Sequence, residues 1–266
     1  MKKPFVLGFV NQKGGVGKTT SAVTIGHGIT LKSDKKVLII DIDPQNQVAE
    51  SFKVDDKNGL RRLINDDEEL IEPLSDVALN VRPNLDIVTS GKKTESVINV
   101  FRDAQVRSRI FGRIINNAPY DVIIFDMAPS FGVLQTNALL VTDWVIIPTK
   151  LNKLDILGLK EIVQTMSQIA LDGQHTFLGY SVLPTFFERT TSQTEIQFIE
   201  LAKKFKQYLW PPILQDTRVR EAPIEGKTLW EYSPNSPAMT GFEVGKGKTI
   251  GGYIQILDLV FKVLDG

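Results

Sequence analysis

A glycine-rich segment near the N terminus constrains the fold of this chain more than any other feature. Residues 12–20 read Gln-Lys-Gly-Gly-Val-Gly-Lys-Thr-Thr, directly after an apolar run at 5–10 and directly before a helical pattern at 21–31. The glycines allow a tight turn that directs successive backbone N–H groups inward, and the helix adds the positive end of its dipole at the same point. A strand, an anion-binding loop and a helix in this order predict a nucleotide-phosphate site.

The residue types of this segment indicate how phosphates would be held. Lys18 is expected to reach the β- and γ-phosphates, and the Thr19 hydroxyl is expected to ligate Mg²⁺. The competing interpretation is a glycine turn with a chance Lys-Thr pair, and the strand–loop–helix context disfavours it. The predicted phosphate-binding residues are Gly14, Gly15, Val16, Gly17, Lys18, Thr19 and Thr20.

The remaining apolar runs predict the rest of the sheet. Runs of strand length lie at 37–40, 85–88, 122–125, 144–147 and 177–183, with helical patterns between them, including 95–115 and 155–171. They are apolar throughout rather than alternating, which is typical of parallel strands covered on both faces. The expected fold is α/β, a single domain over residues 1–266 with a doubly wound, mostly parallel sheet and helices on both faces.

Carboxylates lie where two of the predicted strands end. Asp41 and Asp43 follow the second strand, and alternation along a strand directs both to the same side. Asp126 ends the hydrophobic run 122–125 in the pattern typical of a Walker B segment. Because ligands of open α/β sheets bind at the carboxyl ends of the strands, these carboxylates are expected around the phosphates. Thr19 and Asp126 are predicted to take part in a Mg²⁺ site, Asp126 by holding a Mg²⁺-bound water. Of Asp41 and Asp43, one would serve metal-bound water and the other would orient the attacking water.

The order of these segments resembles one family. The string at 13–20 resembles the deviant Walker A box of the ParA/MinD superfamily, and the preceding Asn11 and Gln12 resemble its ParA branch. The resemblance implies a P-loop NTPase that hydrolyses ATP with Mg²⁺, with Lys18 among its catalytic residues. It implies that Lys13 reaches across a dimer interface to the partner's phosphates, where a second cation neutralises developing charge. It also implies that Asp43 orients the attacking water and that Asp41 acts on Mg²⁺ through water.

Two departures from the family pattern lie close to the phosphates. Residues 126–130 read Asp-Met-Ala-Pro-Ser where the family has Asp-Cys-Pro-Pro-Ser, and residues 44–47 read Pro-Gln-Asn-Gln where it has Pro-Gln-Gly-Asn. Neither change removes a catalytic group. The resemblance thins over 50–118, where the acidic segment 55–76 is interpreted as a solvated face.

Two later segments, 188–191 and 217–223, resemble further ParA segments, in which arginines contact DNA without sequence preference. Between them an apolar stripe of Phe198, Ala202, Phe205 and Leu209 predicts a helix over 192–209 with its lysines outside the stripe. The predicted DNA-binding residues are Arg189, Lys203, Lys204, Arg218 and Arg220, and a solubilising basic face is the alternative. The resemblance also implies that the loop at 216–223 holds the adenine, through Asp216, Arg218 and Pro223.

Composition narrows the alternatives. The chain has no cysteine and two histidines, which excludes disulfides and cysteine-held metal clusters and disfavours a histidine metal site. Lysines plus arginines equal aspartates plus glutamates at 31 each, so a basic surface has to be local. A metabolic enzyme on the same scaffold would need a further polar constellation, and none is found. The tail 250–266 predicts a packing helix with Ile254, Leu257, Phe261 and Leu264 on one face, and its single cation disfavours a membrane-cycling role.

The expected function is an ATP-dependent dimerising switch that binds DNA non-specifically and positions a plasmid or chromosome. Positioning of a protein cargo, such as a carboxysome or a chemoreceptor cluster, is the alternative. The expected partners are nucleoid DNA, a second copy of the chain and a ParB-like adaptor that stimulates slow hydrolysis. We expect a cytoplasmic, nucleoid-associated protein with no membrane partner and no N-terminal helix-turn-helix extension. The glycine-rich segment 241–252 is expected to be a loop.

Overall fold

Seven strands form the central sheet of the computed structural model, which describes residues 3–64, 72–94, 107–116, 118–130, 132–188, 192–245 and 247–266. The spatial order is β3-β4-β2-β5-β1-β6-β7, and every pair is parallel except β3–β4. The strands are β1 Phe5–Phe9, β2 Val37–Asp41, β3 Leu79–Arg82, β4 Leu85–Val88, β5 Val122–Asp126, β6 Trp144–Lys150 and β7 Gly179–Thr185. This confirms the predicted α/β class and its mostly parallel sheet.

Helices connect the strands and follow the last of them. The five longest are α1 Lys18–Lys32, α5 Arg107–Asn116, α7 Lys153–Leu171, α8 Ser192–Phe205 and α12 Gly252–Asp265. The shorter ones are α2 Gln47–Ser51, α3 Gly59–Leu63, α4 Leu74–Val77, α6 Val133–Leu139, α9 Arg218–Ile224, α10 Leu229–Tyr232 and α11 Pro237–Thr240. Of the predicted helix 95–115, residues 95–106 lie outside the described residues.

The sheet has a hydrophobic core on each face. Successive residues of β1 enter opposite cores, Val6 on one side and Leu7 on the other, and Leu38 and Ile39 of β2 do the same. One core includes residues of α5, α6 and α7, and the other includes residues of α1 and α12. Burial on both faces explains why these strands read as continuous apolar runs.

β6 extends to Lys150 and β7 lies two residues later than expected, and three further elements differ in kind from the sequence-based expectation. β3 was missed because its four residues are only partly buried at an antiparallel edge and carry no apolar run. The predicted helix 192–209 ends as α-helix at Phe205 and continues as a 3₁₀ turn, Lys206–Tyr208. The segment 241–252 is not only a loop, because β8 Phe242–Glu243 pairs with β9 Thr249–Ile250 in a small antiparallel hairpin.

Helix α12 packs on α1 through a face that shares Leu257, Phe261 and Leu264 with the predicted one. Tyr253, Ile256, Leu257 and Val260 are buried, whereas Ile254 is 39% exposed. The Tyr253 hydroxyl and the Ser21 hydroxyl share a buried hydrogen bond of 2.9 Å, which fixes the two helices together. The predicted stripe is confirmed at Leu257, Phe261 and Leu264 and is wrong at Ile254, whose place at the start of the buried face is taken by Tyr253.

This register is testable with two isoleucines on one helix. Ile256→Ala should lower the free energy of unfolding by about 2–5 kcal/mol, because it opens a cavity in the core. Ile254→Ala, the matched control, should cost less than about 1 kcal/mol, because that side chain already meets solvent. Urea denaturation of both variants measures the difference, and equal losses would contradict the observed packing.

Candidate nucleotide site

The glycine-rich loop joins the end of β1 to the start of α1 and is held in place without a ligand. Gly15 (φ 65°) and Gly17 (φ 89°) have left-handed backbone conformations that side chains rarely adopt, which explains the glycines at these positions. The Thr185 hydroxyl donates to the Val16 carbonyl (2.9 Å) from the end of β7. The Asn11 amide donates to the Pro148 carbonyl (2.7 Å), and its Oδ1 accepts the Lys13 N–H (2.9 Å). The phosphate cradle is therefore preorganised.

Lys18 lies buried at the first turn of α1. Its ammonium donates to the Lys13 carbonyl across the loop (Nζ–O 3.1 Å). Burial lowers its pKa, and the neighbouring carboxylates of Asp126 and Asp43 act in the opposite direction. A cation in this position, beside the N terminus of a helix, is suited to bind the β- and γ-phosphates, as the sequence predicts for Lys18.

Thr19 and Asp126 meet as the sequence predicts for a Mg²⁺ site. The Thr19 hydroxyl donates to Asp126 Oδ2 at 2.6 Å, and Asp126 Oδ1 is buried without a hydrogen-bond partner. Asp41 is paired with Asp126 in the register of β2 and β5. Both Asp41 oxygens accept backbone N–H groups, from Asp43 (2.8 Å) and from Val48 (3.1 Å). Asp41 thus has its oxygens committed, which fits an indirect role through water.

The donor set fits Mg²⁺. The ion prefers hard oxygen ligands and retains water and phosphate oxygens in such sites. A hydroxyl beside a carboxylate with an unpaired buried oxygen offers this chemistry. Within the described residues no group of three carboxylates or histidines is arranged to hold a metal alone, so the nucleotide and water would have to complete the coordination.

The two buried carboxylates resist ionisation in the ligand-free chain. Burial raises the pKa of Asp126 to about 7, although the Thr19 hydroxyl and the Lys18 ammonium oppose the shift. Burial, followed by the proximity of Asp126, raises the pKa of Asp41 well above its ordinary value. A bound cation would lower both pKa values and so favour the ionised carboxylates.

The Asp43 loop is fixed by its neighbours. Asp43 Oδ1 accepts the Gln45 N–H (3.0 Å), and the Asp43 carbonyl accepts the Ser90 hydroxyl. Asn46 occupies the position where the family has glycine, and its φ of 56° is left-handed. Asparagine tolerates this conformation, and its side chain accepts the Ser90 N–H (2.8 Å) and donates to the Asp56 carbonyl (2.8 Å). This departure from the pattern keeps the turn and adds two hydrogen bonds.

These segments enclose a cavity of about 580 Å³. The predicted residues that line it are Gly14, Gly15, Gly17, Lys18, Thr19, Thr20, Asp43, Arg220 and Pro223. Sequence reasoning missed Gln45, Gln47, Glu50, Ser51, Pro129, Lys150, Phe186 and Val219. The rule that placed the aspartates would have identified Lys150, because this lysine ends β6, the neighbour of β1. A smaller adjoining pocket includes Thr20, Asp216, Val219 and Tyr253.

The other predicted site residues differ in whether they are buried or exposed. Val16 is buried within the loop, and Asp216 is 3% exposed in its side chain, with Oδ1 accepting the Arg218 N–H (3.0 Å). Arg218 pairs with Asp216 (Nη1–Oδ1 3.4 Å) and is not among the cavity-lining residues. Lys13 is exposed, as are Lys203 and Lys204 in the last turn of α8. Arg189 lies outside the described residues.

The buried Asp126 carboxyl gives a pH-dependent prediction for the ligand-free protein. Between its ordinary pKa of 3.8 and its folded pKa of about 7, the unfolded state is ionised while the folded state stays neutral. Raising the pH through this window therefore removes stability. Asp126→Asn should raise the free energy of unfolding by at least about 1 kcal/mol at pH 8 and change it little at pH 4.

Thermal unfolding across this pH range measures the effect. Asp258→Asn is the control, since Asp258 is exposed on α12. A constant difference between Asp126→Asn and the wild type from pH 4 to pH 8 would contradict the raised pKa.

Comparison with known proteins identifies the same family that the sequence motifs indicate. A family model for an AAA domain matches residues 5–177. The sporulation initiation inhibitor protein Soj of Bacillus subtilis is 30% identical over 241 residues, covering 87% of this chain and 92% of Soj. The chromosome partitioning protein ParA of Caulobacter vibrioides is 28% identical, covering 85% of this chain and 86% of that protein.

Solved structures show the same fold at lower identity. An ATP complex of McdA from Cyanothece superposes with a TM-score of 0.74 at 17% identity, covering 88% of this chain and 92% of McdA. With the deviant glycine loop, the Thr19–Asp126 pair and the Soj and ParA likeness, the assignment is complete: the chain belongs to the ParA-type partition ATPases of the ParA/MinD superfamily.

Proposed function

We propose that this protein is an ATP-dependent dimerising switch that binds DNA without sequence preference and hydrolyses ATP to segregate or position a cargo. The single observation that carries the proposal is the contrast between its two loop lysines. Lys18 is buried beside the site carboxylates, whereas Lys13, five residues earlier, is exposed and is not among the residues lining the cavity.

Lys13 supports the dimerisation step. Its backbone is fixed on both sides, because its N–H donates to Asn11 and its carbonyl accepts the Lys18 ammonium. Its side chain therefore starts from a rigid point but stands outside its own cavity. A cation in this position suits the phosphates of a second copy, where it would neutralise charge developing on the transferred phosphoryl group.

Asp43 supports the hydrolytic step. It lines the cavity, and the Gln45 N–H and the Ser90 hydroxyl fix its loop. A carboxylate so oriented accepts a hydrogen bond from the attacking water and directs it at the terminal phosphate. Bound Mg²⁺ would supply neutralisation of the phosphate charge, with Thr19 and Asp126 holding it and Asp41 acting through water.

The exposed lysines of α8 support the DNA-binding step. Lys203, Lys204 and the following Lys206 are all exposed, on a chain that has no net charge. Non-specific DNA binding depends on such phosphate contacts, and dimerisation doubles their number. We extend the proposal to Arg189 and Arg220, although Arg220 also lines the nucleotide cavity. The switch would then act on the nucleoid in the cytoplasm, with a ParB-like adaptor stimulating hydrolysis.

Positioning of a protein cargo is the second candidate, and the fold shared with McdA is compatible with it. A membrane-cycling role has less support. In the part of the chain that the structure describes, no helix combines the length and apolar character needed to span a bilayer. The tail helix α12 also buries its apolar face on α1 and exposes Asp258, Lys262 and Asp265.

The dimerisation step is tested with Lys13→Ala. This variant should bind ATP but remain a monomer, because Lys18 and the loop N–H groups are untouched while the cation proposed to act in trans is removed. Light scattering with a non-hydrolysed ATP analogue measures the mass. Lys262→Ala, an exposed lysine on α12, is the control and should dimerise. An analogue-induced dimer of Lys13→Ala would refute the proposed role.

The hydrolytic step is tested with Asp43→Ala. Hydrolysis should fall by about 100-fold or more, as expected for loss of a positioned general base, while nucleotide affinity is retained. The dimer should persist, because the ATP that holds it together is not consumed. Phosphate release measures the rate, with Asp55→Ala as the control, since that side chain is 95% exposed on the same connection. Hydrolysis at the wild-type rate would assign the role to another residue.

The DNA step is best tested on α8. Arg218→Glu would place a carboxylate against Asp216, which holds the adjoining loop. That variant would therefore not separate a loss of DNA contacts from a disturbance of the loop. The double variant Lys203→Glu, Lys204→Glu should instead weaken binding to every duplex alike. It should also lower the slope of log affinity against log salt by about 0.9 for each DNA phosphate that the variant no longer neutralises.

Mobility shifts on two unrelated duplexes, with ADP and with the ATP analogue, provide the comparison. Lys160→Glu on α7 is the control, because Lys160 is exposed and outside the proposed patch. Equal binding with both nucleotides would mean that the lysines are a solvated face. A strong preference for one duplex would mean that a recognition element exists elsewhere.

A further inference from the structure

The nucleotide cavity contains a lysine with no role in the steps above. Lys150 is the last residue of β6, and β6 pairs directly with β1, the strand that leads into the glycine loop. Its ammonium lies 3.8 Å from the position that a Cβ on Gly15 would occupy, and Lys150 lines the same cavity as Lys18 and Asp43. It therefore stands over the loop within a single copy of the chain.

The ammonium is held in place without being neutralised. It lies 4.4 Å from the centre of the Phe186 ring, within the range of a cation–π contact. Among the described carboxylates none forms an ion pair with it. A positive charge at the wall of a concave site, steadied by an aromatic face rather than by an anion, remains available to an anionic ligand.

Phe186 itself adopts an uncommon conformation to provide this face. Its φ is 55°, in the left-handed region that a bulky residue rarely enters, directly after β7. The preceding Thr185 hydroxyl donates to the Val16 carbonyl, so the ends of β6 and β7 are both tied to the glycine loop. The ring reaches the loop as well, with its Cε2 3.8 Å from the Cβ position of Gly17.

The position of Lys150 indicates which end of the nucleotide it meets. It lines the large cavity with Gly14, Gly15 and Asp43, but it is not among the residues of the adjoining pocket formed by Thr20, Val219 and Tyr253. The smaller pocket shares Gly17, Thr20, Phe186 and Val219 with the large cavity but includes neither Lys18 nor Lys150. Lys150 therefore goes with Lys18 and Asp43, which mark the phosphate end.

We propose that Lys150 is a third cationic contact for the terminal phosphate of ATP, supplied in cis from the end of β6 and positioned by Phe186. The inference rests on the proposed ATP site but not on dimerisation or DNA binding. Lys18 and Lys150 would hold the γ-phosphate from one copy, and Lys13 would add its charge from the other. Lys150 would then distinguish ATP from ADP before a dimer forms.

The test compares two nucleotides in a background that cannot use the partner's lysine. Affinities for ATPγS and for ADP, each with Mg²⁺, are measured by calorimetry in Lys13→Ala and in the double variant Lys13→Ala, Lys150→Met. The added substitution should weaken ATPγS binding about tenfold or more, as for loss of a hydrogen bond to a charged group, and leave ADP binding within about twofold. Lys150→Arg should retain most of the ATPγS affinity, and Lys160→Met should change neither.

Each alternative result has a definite meaning. Equal losses for ATPγS and ADP, or no loss for either, would overturn the γ-phosphate contact. Lys150→Met is also measured in the wild-type chain. A selective loss there that is absent in Lys13→Ala would overturn action in cis. Retained ADP affinity shows that the variant is folded. Failure of ATP-dependent dimerisation or of DNA binding would leave these measurements interpretable, since both nucleotides are compared on the monomer.

Discussion

The rest of the site depends on two carboxylates buried side by side. Asp41 and Asp126 are neighbours on β2 and β5, both fully within the fold, and the Lys18 ammonium is the cation that acts on Asp126. Burial of like charges is unfavourable unless a cation compensates for them. The chain accommodates this partly by backbone hydrogen bonds to Asp41 and partly by the pKa of Asp126, which rises to about 7. The buried carboxylates thus lower the free energy of unfolding of the ligand-free chain, and binding of a metal ion and a triphosphate at this site would raise it again.

A second set of hydrogen bonds extends from this site to the adjacent helix. Asn46 and Ser90 bond to each other and to the backbone of Asp56 and Asp43, and Asp56 in turn accepts the Thr89 hydroxyl at 2.7 Å. Thr89 also accepts the Gly59 N–H, which begins α3. The water-orienting role proposed for Asp43 would need such support, because its side chain has two rotatable bonds. The Asp43 loop is held by hydrogen bonds within the chain.

The sequence predicts the features that local residue patterns determine, and it misses those that depend on contacts between distant parts of the chain. The apolar runs locate β1, β2 and β5 to within a residue because both faces are buried. The Thr19–Asp126 contact is also foreseeable, because strand order and residue type determine it. β3 lies at an edge and lacks that signal. On α12 the predicted stripe is wrong at Ile254, because the buried face starts at Tyr253, whose hydrogen-bond partner Ser21 lies on the distant helix α1. Lys150 ends β6 and Phe186 directly follows β7, so the sequence can place both at the carboxyl edge of the sheet but does not show that they approach Gly15.

The two loop lysines differ in burial and are joined by one hydrogen bond. Lys18 is buried, and in the absence of nucleotide its ammonium donates to the carbonyl of the exposed Lys13. A phosphate that draws this ammonium competes directly with that bond, since an anionic oxygen is a stronger acceptor than a peptide carbonyl. In the proposed switch, occupancy of the cavity would thereby act on the backbone that carries the exposed cation, through a single hydrogen bond. The proposed dimer contact would then start from the phosphate loop itself, and for that reason it would depend on the bound nucleotide.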